Sequence, residues 1–255
     1  MYLAENFKKW SFFTILVVLF GSAFLLIELS LNSFSPIQIA FFRVFFASIF
    51  LLIYAFLMGY KFNFIKENFI LLFILGLSGT TIPFFLISWA QTTISSSETG
   101  ILIGFMPLFT IIGSHYFFKY ENLSFNKILG FILGLCGLFI LLMNNNDEVN
   151  IFGNIYAKAA VIISAFFYAV NALLVKKISN VNVIPLSAVV MIFSSIQLLF
   201  MSFTGKEIYF LNKQIFISSI IAISLLSLLS TAFATVLYYK IIHDYGPNFL
   251  SLVNY

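Results

Sequence analysis

Two charged side chains stand in a stretch that is otherwise almost wholly apolar, LLIELSLNSFSPIQIAFFRVFF at residues 25–46: Glu28 and Arg43. At the centre of a membrane-spanning helix such a charge is unfavourable by roughly 2.5–3.5 kcal/mol, and by less near the ends. A chain that keeps two of them has a use for them. A carboxyl in low-dielectric surroundings resists ionisation and can carry a proton. A guanidinium can hold a carboxylate through two parallel hydrogen bonds. As a pair the two would tolerate each other, either as a structural tie or as a gated pair facing a cavity. Further polar positions interrupt later apolar runs: Thr81 in GTTIP, Trp89 and Gln91 at the close of the third run, and Tyr168 and Asn171 in the middle of the sixth. An amide in hydrocarbon is unfavourable unless it faces other helices, so Asn171 is either glue between helices or a contact to substrate. Trp89 is either an interface anchor or a cavity wall.

The elements that must position these residues follow from composition. The 255-residue chain is 62% hydrophobic and 9% charged, against about 25% charged in soluble domains. Its mean hydropathy is +1.07. Lipid is the solvent for most of such a chain. Apolar runs fall at 12–31, 36–58, 68–91, 96–118, 126–143, 153–175, 183–203 and 215–239, each long enough to cross a hydrocarbon core of about 30 Å. A ninth begins at Asn248, and the expectation is truncation within that span. The first run is too long for a signal-peptide core and has no cleavage pattern after it, so it reads as a retained span.

The formal charge of +4 reports topology and not nucleic acid, because the lysines lie between apolar runs. Lys8, Lys9, Lys61, Lys66, Lys119, Lys127, Lys176, Lys177 and Lys240 fall on one side when the N-terminus is cytoplasmic, which is the orientation the positive-inside bias favours. Connecting segments are short, so recognition must occur within the helical bundle. Cys136 is the only cysteine, and no His pair, nucleotide loop or Ser–His–Asp arrangement occurs. No catalytic residue, metal site or cofactor is expected, and the chain does not read as an enzyme.

Two passages, ISWAQTTISSSETGILIGFMP (87–107) and LYYKIIHDYGPNFLSLVNY (237–255), each close a long span, turn and open a new one. A five-span unit crosses the membrane an odd number of times, so its copy enters from the other side. Inverted five-helix repeats, 1–143 and 151–255, are the expectation. In the second repeat Glu28 and Arg43 correspond to positions near Val175 and Ile192, so the architecture itself does not require charges there. Gly130 and Gly134 form a GxxxG pattern suited to close helix packing, within one bundle or in a homodimer.

FGSAFLLIELSL, SPIQIAFFR, SWAQTTISSSETGILIGFMPLFT, ENLSFNKILGFILGLCGLFILL and LYYKIIHDYGPNFLSLVNY occur in this order. Together they resemble the EamA-type permeases of the drug/metabolite transporter superfamily. The chain departs from the family pattern at Phe20, where many members have Trp, and at Glu28, where many have Lys. The resemblance implies an all-α polytopic membrane protein of ten helices, here ending within helix 9. It also implies a secondary transporter in the cytoplasmic membrane, moving a small metabolite or amino-acid-like solute, outward, by alternating access. Its partners would be lipid and a small-molecule substrate, and its candidate substrate or proton-coupling residues Glu28, Arg43, Thr81, Trp89, Gln91, Tyr168 and Asn171. The alternative is a non-transporting structural membrane protein or an intramembrane enzyme.

Overall fold

The computed structural model describes residues 2–117, 129, 130, 133, 134, 136, 137, 140, 154–178, 180–204 and 214–254. Among them all regular structure is helical: α1 (Tyr2–Leu31), α2 (Pro36–Leu57), α3 (Phe64–Gly76), α4 (Ile82–Ala90), α5 (Ser96–Ile103), α6 (Met106–Phe117), α7 (Ile155–Val175), α8 (Val183–Thr204), α9 (Ile217–Ser227), α10 (Ala234–Tyr245) and α11 (Pro247–Ser251). Seven stretches among the described residues are long and apolar enough to cross a membrane. We number them by the runs they realise: span 1 (α1), span 2 (α2), span 3 (α3–α4), span 4 (α5–α6), span 6 (α7), span 7 (α8) and span 8 (α9–α10). Of the expected fifth span, 126–143, the described residues are Leu129, Gly130, Leu133, Gly134, Cys136, Gly137 and Ile140, which include both glycines of the GxxxG pattern; the rest lies outside the described residues. The chain is an all-α polytopic membrane protein.

Local sequence sets the helix boundaries. Ser35 takes an extended conformation, its N–H donates to Gln38 Oε1 at 2.9 Å, and Pro36 occupies the first helical position of α2, where a missing N–H loses nothing. Gly246 adopts φ +88° between α10 and α11, a backbone setting open to glycine and strained for other residues. Pro247 then starts the new helix.

Two spans are not uniform α-helix. Span 3 widens to a π-helical turn over Leu77–Thr81, and span 8 does so over Leu228–Phe233. Pro83 follows the first widening, as a proline-driven bend would require, but no proline accompanies the second. Both widened segments carry clustered small and hydroxyl residues, LSGTT and LLSTAF. Such single-turn widenings occur often at functional sites. Span 4 breaks at Gly104–Phe105, just before Pro107, whose ring and missing N–H disfavour a continuous helix through that turn.

Packing joins the spans in a regular set. α2 lies along α8, where Ala40, Val44 and Ala47 meet Ala188, Met191 and Leu198 in one buried cluster. Small residues there let the backbones approach closely. α1 packs on α9, and α4 packs on α7. α3 packs on α8, and α9 packs on α2. α7 presents an alanine stripe, Ala157, Ala160, Ala165, Ala169 and Ala172, to these neighbours. The outward faces are apolar, as Phe46, Phe50, Ile53 and Phe56 of α2 illustrate.

Candidate binding cavity

The interior holds a cavity of about 70 Å³ at mid-depth in the bundle. A buried water requires about 10–15 Å³ and polar partners, so this one admits more than a single water. Its wall is supplied by spans 1, 2, 3, 4, 6 and 8 and by Asn254. Its apolar lining includes Phe20, Phe24 and Ile27 of α1, Ile87 of α4, and Ile103 and Met106 of span 4. Its polar lining is Arg43, Thr80, Tyr168, Asn171, Ser230, Thr235, Tyr238 and Tyr239.

Arg43 is 3% exposed. Its Nε–H donates to Thr231 Oγ1 at 3.1 Å, and its Cζ lies 3.6 Å from the centre of the Phe84 ring. That ring is a favourable cover for a guanidinium face. Thr231 belongs to the widened turn of span 8 and donates in turn to the carbonyl of Leu226 at 2.7 Å. The terminal nitrogens of Arg43 have no hydrogen-bond partner among the described residues, and no described carboxylate pairs with it.

Asn171 reaches the other widened turn. Its Nδ2 donates to the Leu75 carbonyl at 3.0 Å and to Ser78 Oγ at 3.3 Å. Gly79 makes room for it: a Cβ there would lie 2.5 Å from Asn171 Nδ2. Thr80 Oγ1 bonds the Gly76 carbonyl at 2.8 Å and contacts Ser194 Oγ of α8. Tyr238 Oη donates to the Tyr168 carbonyl at 3.3 Å. Ser230 Oγ is buried with no partner among the described residues.

Of the residues singled out from sequence, Arg43, Tyr168 and Asn171 line the cavity. Four others do not, and the geometry gives the reasons. Glu28 is exposed and forms no ion pair with Arg43. It follows Ile27 of the cavity wall by one residue, which on a helix turns it about 100° away. Span 8 also lies against both α1 and α2: Ser219 Oγ donates to the Leu29 carbonyl at 2.8 Å, and the Phe216 N–H donates to Ser33 Oγ at 3.0 Å. Thr231 of that span takes the place beside Arg43 that Glu28 was expected to fill. Thr81 turns to α8 and donates to Gln197 Oε1 at 2.6 Å, while Gln197 Nε2 donates to the Phe73 carbonyl at 3.0 Å. Trp89 is 41% exposed on the outer surface of the bundle. Gln91 is buried beside the wall as a tie, its Nε2 donating to the Phe24 carbonyl at 3.1 Å.

Sequence reasoning missed Ser230, Thr235, Tyr238 and Tyr239, and in GTTIP it favoured Thr81 where its neighbour Thr80 lines the cavity. For Thr80 and Ser230 the available signal was the pair of hydroxyl-rich clusters in mid-span, LSGTT and LLSTAF, which mark the widened turns; Thr235, Tyr238 and Tyr239 lie outside both clusters.

Residues 8–143 match the EamA-like transporter family. An uncharacterized transporter of Archaeoglobus fulgidus is 28% identical over 192 residues, covering 75% of this chain and 66% of the relative. The uncharacterized transporter YdfC of Bacillus subtilis is 28% identical over 52% of this chain and 43% of the relative. An uncharacterized transporter of Haemophilus influenzae is 34% identical over 56% of this chain and 48% of the relative. The chain thus spans from under half to about two thirds of these relatives' lengths. A solved crystal structure superposes with a TM-score of 0.75 at 12% identity, covering 97% of this chain and 83% of that one. At that identity the likeness is one of fold.

Proposed function

We propose, from the premise that this chain belongs to the EamA-like transporter family, that it is a secondary transporter of small metabolites working by alternating access around the central cavity. The observation that carries the reading is the cavity itself. It is a mid-depth space whose wall draws on six spans and holds a buried arginine, a buried amide and an unpartnered hydroxyl. A structural membrane protein has no use for such a space, and intramembrane polar groups mark solute paths by default. The wall contains no acidic side chain and no histidine among its described residues, which gives an intramembrane enzyme little to work with.

Five-helix inverted repeats are part of the proposal, and the packing supports them. Exchanging span 1 with 6, 2 with 7 and 3 with 8 converts each observed packing pair into another. Taken as whole spans, span 1 on span 8 becomes span 6 on span 3; the α9–α2 pair becomes α3–α8, and α2–α8 maps onto itself. Span 4 packing on span 6 likewise maps onto the contacts of the last described segment with α1, made by the Leu252–Asn254 turn and by Phe249 against Trp10 and Phe13. The two widened turns fall in the two spans that exchange. Rocking of one repeat on the other would open the cavity to each side in turn. With no nucleotide motif in the sequence, the drive is an ion gradient or the solute's own. A cytoplasmic N-terminus in the cell membrane follows from the lysine bias, and export is the direction the family resemblance favours.

The test is thiol accessibility in cells expressing the whole gene, in a Cys136→Ser background. A cysteine replacing Asn171 should react with a membrane-impermeant reagent applied from either side of the membrane. Labelling from neither side sinks the transporter reading.

A further inference from the structure

We infer that the solute is an organic anion carrying one carboxylate on a compact apolar body, held by its carboxylate on Arg43 and Ser230. The inference rests on the transport reading above and names the substrate class of that same cavity. Arg43 is the starting point. It is buried in the wall with one face covered by Phe84 and its Nε committed to Thr231. The remaining edge, with the terminal nitrogens, has no partner among the described residues. A guanidinium has five N–H donors in a planar fork, and this one uses a single donor. The free edge has the geometry that takes a carboxylate through two hydrogen bonds.

Among the described residues the counter-charge is missing. No aspartate or glutamate stands in the cavity wall, and Glu28 faces outward. A buried cation without an anion is costly, and a solute that brings the anion relieves the cost. Ser230 is the second, independent observation. Its residue is 2% exposed, and its Oγ lines the cavity with no partner, unlike Ser78 and Ser227, which donate to carbonyls one turn back. Ser230 immediately precedes Thr231, the residue bonded to Arg43, so the two hydroxyls lie at nearly the same depth along span 8, and both Ser230 and Arg43 line the cavity. The apolar lining fits the rest of the solute: Phe20, Phe24, Ile27, Ile103 and Met106 offer apolar and aromatic surface without charge. A cationic solute would meet Arg43 with like charge, and a neutral one would leave the guanidinium edge unpaired.

The experiment is thermal stabilisation of the purified whole protein by three probes of one shape. These are phenylacetate, the neutral phenylacetamide and the cationic phenethylamine, with sodium phosphate and chloride as bare anions. Phenylacetate should stabilise, and phenylacetamide and phenethylamine should not. Arg43→Gln should weaken phenylacetate binding on the order of 100-fold, with Arg43→Lys between it and the wild type. Should Arg43→Gln fail to fold, Ser230→Ala serves in its place, because it removes no hydrogen bond of the fold. It should weaken phenylacetate about tenfold and leave the ligand-free melting temperature unchanged. Equal stabilisation by the amide or the amine, or undiminished phenylacetate binding in folded Arg43→Gln or Ser230→Ala, overturns the assignment. So does equal stabilisation by phosphate or chloride, which would make this a site for inorganic ions. The two proposals fail separately. Anion binding without two-sided thiol access at position 171 refutes transport alone, and two-sided access without anion preference refutes the substrate class alone.

Discussion

At one junction α2 crosses the widened turn of span 8; at the other α8 crosses the widened turn of span 3. The first is made by a charge: Arg43, a residue of the cavity wall, gives one bond to Thr231, and its other donors have no partner among the described residues. The second is made by neutral groups that satisfy one another: Ser194 with Thr80, and Gln197 with both Thr81 and the Phe73 carbonyl. A widened turn leaves backbone carbonyls displaced from their usual donors, and side chains must supply the deficit. At the span 3 junction the supply meets the need and the result is a joint. At the span 8 junction there is a surplus of donors, and a surplus in a buried wall is a binding capacity. The two junctions therefore share a backbone device and differ in what is left over.

The comparison breaks most sharply at Thr231. Thr231→Val removes the only described hydrogen-bond partner of Arg43 and frees the guanidinium to swing. Phenylacetate affinity should fall about tenfold, as for loss of a hydrogen bond to a charged group, and Thr231→Ser should restore it. Ser194→Ala, at the matching place on the other junction, should change that affinity less than about twofold. If the two substitutions weaken phenylacetate equally in thermal-shift titrations, the distinction between joint and binding end is wrong.

Span positions were legible in the sequence because a lipid-exposed helix needs apolar residues on every side, and helices that face water do not sustain runs of that length. Arg43, Tyr168 and Asn171 were legible too, since a large polar group in such a run must face inward. Glu28 obeyed the same rule in type but not in angle. Its bearing on α1 depends on which neighbour the helix packs against, and that neighbour, α9, is far away in sequence. Ser230 was illegible for another reason. Most mid-span hydroxyls here bond a carbonyl of their own helix, as Thr110 does to Met106 and Ser164 to Ala160. Nothing in a string of serines marks the one left without a partner.

Gly79 tests the span 3 side through packing. In Gly79→Ala the new Cβ would fall against all three terminal atoms of Asn171, at 2.5–2.9 Å, and the amide must leave Leu75 and Ser78. Overpacking of this kind costs about 1–3 kcal/mol, read as a lower melting temperature in detergent. Gly100→Ala is the control, since its Cβ would meet Phe24 at 3.5 Å, an ordinary contact, and its melting temperature should match the wild type. A milder cut at the same junction is Gln197→Leu, which removes two hydrogen bonds but no packing. Interhelical hydrogen bonds in membranes average about 0.6 kcal/mol, so the loss should be about 1 kcal/mol, with phenylacetate affinity unchanged. A tenfold loss of affinity in this variant would place ligand contacts at the joint.

The smallest effect is expected farthest from both junctions, at the start of spans 4 and 6. Ser95 Oγ accepts the Glu98 N–H at 3.1 Å and begins α5, and Glu98 then pairs with Lys158 of α7 at 2.9 Å. The Lys158 and Glu98 side chains are 15% and 18% exposed, so water and salt reach the pair. A pair of that kind contributes at most about 1 kcal/mol. Glu98→Gln keeps the size of the side chain and removes its charge. Its melting temperature should drop only slightly at low salt, and the difference should shrink at about 1 M salt, where the screening length is about 3 Å. Phenylacetate affinity should not move, because the pair forms no part of the cavity wall. A loss of affinity as large as that of Thr231→Val would mean that closure at this end is coupled to occupancy of the Arg43 end. The division between a binding junction and a holding junction would then have to be replaced by one in which the whole bundle responds to the ligand.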